Sequence, residues 1–404
     1  MLQMYRRVAA RLTVFVLVML VVEFLDEFAY SALEAARPLI RDAFMLTYVE
    51  VSLITVVPVL VAILVEPVAG LFADTGKRRL LMVSGAILFG LGLILQGFAP
   101  IFSVFLVGAT LQAPASGIFV SLAQASLMDD APQRREHRMA LWTFSGSLAV
   151  VTGPLLLAAM TALGSNWRPA FIGIGVLSLV VALSIALLPK NPALRSETAD
   201  DVVNESNQSL RDRLKDVVAL LRNRNVWRWL ILLESSNLML DVLFGLLALY
   251  MVDVVGVTPA EASLAIVVWT GVGLLGDFLL IPLLERVRGL IYLRFSASLT
   301  LILFPTFLLV DQWVGKLVLL ALMGLFNAGW YAILQSKLYD TLDGQSGAVL
   351  IVGNAAGLFG TLLPLLLGMV AQRQGLEVAM WCLLAGPIAL LIALPRPANS
   401  DDDV

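Results

Sequence analysis

The sequence predicts an all-α integral membrane protein, with twelve transmembrane helices in two six-helix bundles related by pseudo-two-fold symmetry. Three observations carry that expectation. Hydrophobic residues fill 59% of the 404 positions and charged residues only 14%, and the mean hydropathy is strongly positive at +0.90, far from a soluble domain. Apolar runs of the roughly 20 residues needed to cross about 30 Å of hydrocarbon recur along the whole chain, without the alternation of a membrane β-barrel. The second half of the chain also repeats polar landmarks of the first at a fixed offset of 211 residues.

The apolar runs place spans at 12–36, 48–70, 80–98, 101–126, 138–162, 169–188, 229–252, 261–284, 290–310, 313–336, 346–371 and 376–395. The first begins near Leu12 with no small-residue cleavage site behind it and reads as a retained span. With the amino terminus in the cytoplasm, 22 Lys and Arg lie on that side and five outside, namely Arg37, Arg41, Arg168, Lys316 and Arg373. That split satisfies the positive-inside rule, puts both termini in the cytoplasm and suits the inner (plasma) membrane. Residues 1–188 form an amino-terminal six-helix bundle and 229–404 a carboxy-terminal one. Between them, 189–228 reads as a cytoplasmic linker whose Leu210, Leu214, Val217, Val218 and Leu221 recur at helical spacing, as on a helix lying along the membrane surface.

At the 211-residue offset, Glu23 meets Glu234, Asp42 meets Asp253, Thr47 meets Thr258, Glu50 meets Glu261 and Ser52 meets Ser263. Glu66 meets Asp277 and Asp74 meets Glu285. A parallel repeat of this kind implies a site at the bilayer midplane between the halves. The single cysteine, Cys382, excludes an internal disulfide and a cysteine metal cluster, and the lone histidine, His137, falls in a polar loop. Proton traffic inside the membrane would therefore use carboxylates.

The first span supplies them. Glu23, Glu27, Tyr30, Glu34 and Arg37 follow spacings of 4, 3, 4 and 3 and form one stripe, with Asp26 about 60° from Glu23. Each ionised carboxylate at a helix centre costs roughly 2.5–3.5 kcal/mol while a leucine returns about 0.3–0.6, so the stripe must face protein or water. Repulsion and desolvation let Glu23, Asp26 and Glu27 take up a proton near neutral pH, whereas Glu34 and Arg37 equally suit a plain ion pair. The seventh span adds Glu234, Asn237 and Asp241 on one face. Gln112, Ser116 and Gln124 in the fourth, Asn327, Trp330, Tyr331 and Gln335 in the tenth and Asn354 in the eleventh are candidates for the same cavity or for interhelical hydrogen bonds. Glu66 and Asp277 read as gate or dipole partners.

The loop GLFADTGKRR, Gly70 to Arg79, resembles the cytoplasmic signature of the major facilitator superfamily. In it Gly70 permits close helix contact, Asp74 sits where a carboxylate can meet basic groups or a helix end of the neighbouring bundle, and Lys77, Arg78 and Arg79 anchor the inner leaflet. It departs from the pattern where Gly76 follows Asp74 by two residues and Thr75 replaces the usual arginine. TGPLLL in the fifth span, with Gly153-Pro154 preceded by Gly146, is similar to the glycine-proline signature of proton-driven exporters, and NWRPAF to the usual entry into the sixth. The arginine often found in the fourth span is absent, with Ala109 near its place. Segments such as RPLIRDAF and GQSGAV look closest to bacterial efflux members of the fosmidomycin-resistance kind.

The resemblance implies a proton-coupled secondary transporter, an exporter of a small amphipathic or cationic molecule working by alternating access. In that reading Glu23, Asp26, Glu27, Glu234 and Asp241 exchange protons, and Tyr30, Glu34, Arg37, Gln112, Gln124, Asn237, Asn327, Trp330 and Tyr331 meet substrate. Gly70, Asp74, Gly76, Lys77, Arg78 and Arg79 form the cytoplasmic gate. It needs no cofactor beyond the coupling proton, no metal and no nucleic acid, and works as a monomer in the lipid bilayer. An uptake symporter of the same fold shares every feature. A polytopic enzyme is the rival of a different class, but the sequence carries no phosphate loop, no HExxH and no Ser–His pair in the spans.

Overall fold

The computed structural model describes residues 13–73, 78–130, 134–189, 224–341 and 346–395, and among these every regular element is helical. The first half contains α1 (Val14–Phe44), α2 (Tyr48–Ala73), α3 (Arg78–Phe98), α4 (Phe102–Asp129), α5 (Arg135–Ala162) and α6 (Arg168–Leu187). In the second half come α7 (Arg224–Asn237), a π-helical turn (Leu238–Val242) and α8 (Leu243–Asp253), followed by α9 (Pro259–Leu284) and α10 (Gly289–Leu309). The remainder is α11 (Trp313–Asn327), α12 (Trp330–Thr341), α13 (Ser346–Gln374), α14 (Leu376–Cys382) and α15 (Ala385–Ala393).

Among the described residues, ten helical segments are long and apolar enough to cross a membrane, counting α7 to α8, α11 to α12 and α14 to α15 as one each. The 31-residue α1, whose acidic residues lower its apolar content, and the 29-residue α13 fall where the first and eleventh spans are expected and are long enough to cross. Several boundaries differ from expectation. α1 runs on to Phe44 through Pro38 and stops at Met45, whose left-handed backbone (φ 53°) lets its N–H donate to the Arg41 and Asp42 carbonyls. The tenth span breaks where Gly329 takes φ +72°. α7 begins at Arg224, so the end of the expected linker is helical. Residues 190–223 of that linker lie outside the described residues, as do Asp74, Gly76 and Lys77.

The chain divides into two compact units, one from residues up to Met45 and from Leu53 through α6, the other from Leu46–Ser52 and from α7 onward. In the first, α3 packs on α4 and α6, and α1 on α5. Small residues set these approaches. A methyl group on Gly92 would come within 2.7 Å of the Gly108 carbonyl, and one on Gly90 within 2.7 Å of the Gly175 carbonyl. Phe44, Phe105, Trp167 and Phe171 cluster at one end, with the Arg168 guanidinium 4.8 Å from the Trp167 ring centre.

The second unit repeats the internal order, α10 packing on α11 and α15 as α3 packs on α4 and α6. Arg79 at the start of α3 donates to the Ile185, Ala186 and Leu188 carbonyls that end α6. Arg294 near the start of α10 donates likewise to Leu394 and Pro395 after α15. In both units a cation closes the orphan carbonyls of the last helix. The repeat also explains the paired Thr and Glu. Thr47 and Glu50 exchange bonds, Thr47 N–H to the Glu50 carboxylate at 2.8 Å and Glu50 N–H to Thr47 Oγ1 at 3.2 Å. Thr258 and Glu261 do the same at 2.9 and 3.3 Å. Each is a capping box opening a span.

Candidate functional site

The carboxylates of α1 owe their position to how α1 meets α5. Ser31 Oγ donates to the Ala149 carbonyl at 3.2 Å and Ser145 Oγ to the Leu20 carbonyl at 2.8 Å, while a methyl group on Gly153 would strike the Phe28 carbonyl at 2.8 Å. Those contacts seat Gly146 opposite Glu23. The side chain of Glu23 is buried, and a Cβ at Gly146 would stand 2.6 Å from its Oε1. One turn along, Asp26 accepts a 2.5 Å hydrogen bond from Ser116 Oγ of α4. The neighbouring Gly117 lies so close to the Glu66 carboxylate of α2 that a Cβ there would collide with it.

Glu23 feels the charges of Glu27 and Asp26, and Glu66 feels that of Asp26. Four carboxylates from two helices thus form one acidic cluster. Its neighbours include the Ser116 hydroxyl and the bare backbone of Gly117 and Gly146.

The second unit holds matching seats. Glu234 of α7, repeat mate of Glu23, lies against Gly360 of α13, so an acid of the first helix meets a glycine of the fifth in both halves. Asp277 of α9, mate of Glu66, accepts the backbone N–H of Gly329 at the break of the tenth span, as Glu66 meets Gly117 of the fourth. The Asn237 side chain hydrogen-bonds to Glu234, whose neighbouring charge is Asp241. Asp241 falls inside the π-helical turn and is exposed. A π turn shifts the register of the residues after it, and Asp241 within this one stays near enough for its charge to act on Glu234.

Other expected residues fall in different surroundings. Arg37 and Glu34 are 5% and 2% exposed and pair with each other through two hydrogen bonds, one of 2.6 Å, while Arg37 also donates to Thr55 Oγ1 at 2.7 Å. Tyr30 is exposed, one turn from Asp26. Gln112 accepts from Gln96 Nε2 at 2.6 Å, an interhelical bond between α3 and α4, and Gln124 Nε2 faces Met139 Sδ at 3.7 Å. Trp330 is completely buried and gives its indole N–H to Ser296 Oγ at 2.7 Å. Asn327 is also buried, accepting from Thr300 Oγ1 at 2.8 Å, while its Nδ2 has no partner among the described residues. Tyr331 is half exposed. Gly70 lies within α2, Arg78 pairs with Asp129 at 2.7 Å, and Arg79 caps α6.

Lys316, expected to mark the outer boundary, is buried. It donates to the Phe307 carbonyl at 2.7 Å and lies 4.9 Å from that ring's centre.

Sequence reasoning missed Glu66 as a member of the α1 cluster and missed the glycine seats altogether. The signal available was the repeat, since both acid pairs were already matched at the 211-residue offset.

Comparison with known proteins agrees with this architecture. A model of the Major Facilitator Superfamily matches residues 19–363. The Fosmidomycin resistance protein of Escherichia coli K12 is 22% identical over 383 residues, covering 94% of this chain and 91% of that protein. Multidrug resistance protein MdtL of Escherichia coli O139:H28 is 29% identical over 150 residues, 36% of this chain and 37% of its own. Among solved structures, a bacterial homolog of the human lysosomal transporter Spinster, inward-facing and unoccupied, has a TM-score of 0.74 at 16% identity, covering 94% of this chain and 95% of that one. A variant of the nucleoside transporter NupG reaches 0.76 at 13% identity, with coverage of 94% and 98%. At such identities the solved structures speak to the fold alone.

Proposed function

Since the chain belongs to the Major Facilitator Superfamily, a family of multi-pass membrane transporters and not of enzymes, we propose that it is a proton-coupled exporter of a small amphipathic or cationic molecule, working by alternating access. The observation that carries this reading is the cluster of Glu23, Asp26, Glu27 and Glu66, in which carboxylates on two membrane helices meet a serine and two glycines.

Ionised, these groups hold several negative charges in a medium that penalises each by roughly 2.5–3.5 kcal/mol. Two partners offset that cost, a proton or a cationic cargo, and they compete for the same oxygens. A proton arriving from outside neutralises the cluster and releases the cargo. Loss of that proton inward restores the negative charge and the affinity. Ser116 orients Asp26 without neutralising it, which leaves the carboxylate able to change protonation state. Export is the favoured direction because full-length similarity reaches a drug-resistance protein and partial similarity a multidrug-resistance protein. The chain acts as a monomer in the inner (plasma) membrane with both termini in the cytoplasm and needs no cofactor but the coupling proton.

Everted membrane vesicles test the proposal. With an inward-acidic gradient, a radiolabelled lipophilic cation should accumulate several-fold over vesicles without the protein, and a protonophore should abolish the excess. Accumulation driven instead by the opposite gradient assigns uptake, and indifference to the protonophore refutes proton coupling.

A further inference from the structure

Beside Glu234 the second unit contains a cavity of about 330 Å³, walled by Leu230 and Ile231 of α7, Leu238 of the π-helical turn and Leu363 of α13, with Trp227, Ser235 and Gly360 also in the lining. Its size falls at the lower end of small-molecule sites. The lining is almost wholly apolar. Ser235 spends its hydroxyl on the Ile231 carbonyl at 2.6 Å, which leaves the Glu234 carboxylate as the lining side chain able to address a charged guest. Glu234 lies ten residues into α7, about 15 Å along the axis from Arg224, deep enough for an ionised carboxylate to be costly.

We propose that this cavity between α7 and α13 is a binding site for a lipophilic monovalent cation of the quaternary-ammonium type, with Glu234 as its counter-ion. The chemistry of the lining selects that class. Sodium or a divalent ion requires a shell of several oxygens, which one carboxylate among leucines does not supply. An anion meets Glu234 and, beyond it, the charge of Asp241. A lipid chain fits the walls and leaves the carboxylate uncompensated. A compact cation with apolar substituents satisfies both, burying its hydrocarbon on the leucines while its charge rests on Glu234.

Gly360 makes the arrangement possible. A Cβ at that position would occupy the space of the Glu234 carboxylate, so the glycine keeps the charge seated at the helix interface.

This cargo class belongs to the exporter proposed above and in that sense rests on it, but binding is measured without transport. Purified full-length protein in nanodiscs is titrated with benzyltrimethylammonium by isothermal calorimetry. Saturable binding is expected, weakened at least tenfold in Glu234→Gln and in Leu363→Trp, which fills the cavity while keeping the charge. The uncharged isostere neopentylbenzene should fail to displace the cation. Absence of saturable binding, wild-type affinity in Leu363→Trp, or equal displacement by neopentylbenzene overturns the proposal, and each does so whether or not Glu234→Gln folds. Binding that behaves as expected in a protein without proton-driven transport leaves this site standing and removes the exporter reading. Proton-driven transport without benzyltrimethylammonium binding does the reverse.

Discussion

Replacing Gly146 with alanine separates the position of Glu23 from its charge. The added methyl group would stand 2.6 Å from Glu23 Oε1, whereas ordinary contact begins at 3.4 Å, so the carboxylate must retreat by about 0.8 Å. The obstruction is the end of a flexible side chain, so the fold survives. Alanine also favours the helix over glycine by up to about 1 kcal/mol, which offsets the repacking, and thermal stability in detergent should change by about 1 kcal/mol or less. Function should respond more strongly, because sub-ångström errors in the placement of reacting groups commonly cost one to two orders of magnitude. Proton-driven cation accumulation in everted vesicles is expected to fall by about tenfold, at unchanged expression. Gly173→Ala serves as control, since a methyl group there meets nothing within 4 Å, and should transport as wild type. If Gly146→Ala transports at the rate of Gly173→Ala, the seating of Glu23 has no bearing on function and the reasoning fails.

Other substitutions probe separate contacts. Arg37→Met strands the buried Glu34 carboxylate and should lower unfolding stability by about 3–5 kcal/mol, with Glu34→Gln added in the same chain recovering part of the loss. A thermal-unfolding measurement in which Arg37→Met melts with the wild type refutes the ion pair as a stabilising contact. Thr258→Ala removes the cap of α9 and should cost about 0.5–2 kcal/mol, and Thr47→Ala at the repeat-related position should cost a similar amount. Unequal costs, one large and one zero, would contradict the equivalence of the two caps. Ser116→Ala removes the donor to Asp26 and should alter the pH profile of transport while leaving expression intact.

The membrane class, the all-helical architecture and the repeat were legible because they depend on composition and periodicity, which the chain carries locally. The capping boxes were half legible. Thr47/Thr258 and Glu50/Glu261 were visible as coincidences, and the hydrogen bonds supplied the reason for them. Packing between helices was not legible, since a sequence gives the face of a residue on its own helix but not what stands opposite. For this reason Glu66, which reads alone as a gate residue, joins Asp26, while Trp330 and Asn327, mid-span and of types that suit a ligand, give their polar groups to Ser296 and Thr300 of α10. The π-helical turn that carries Asp241 has no distinctive composition in LMLDV and could not be read in advance.

Whether the α1 carboxylates carry the coupling proton is decided by Asp26→Asn, since the amide keeps the shape and can still accept from Ser116. In proteoliposomes with an internal pH indicator, wild-type protein should move protons whenever a cation is transported, and Asp26→Asn should lose that coupled proton movement by tenfold or more while still equilibrating the cation down its own gradient. Proton movement of wild-type size and pH dependence in the Asp26→Asn protein would contradict proton coupling through this cluster.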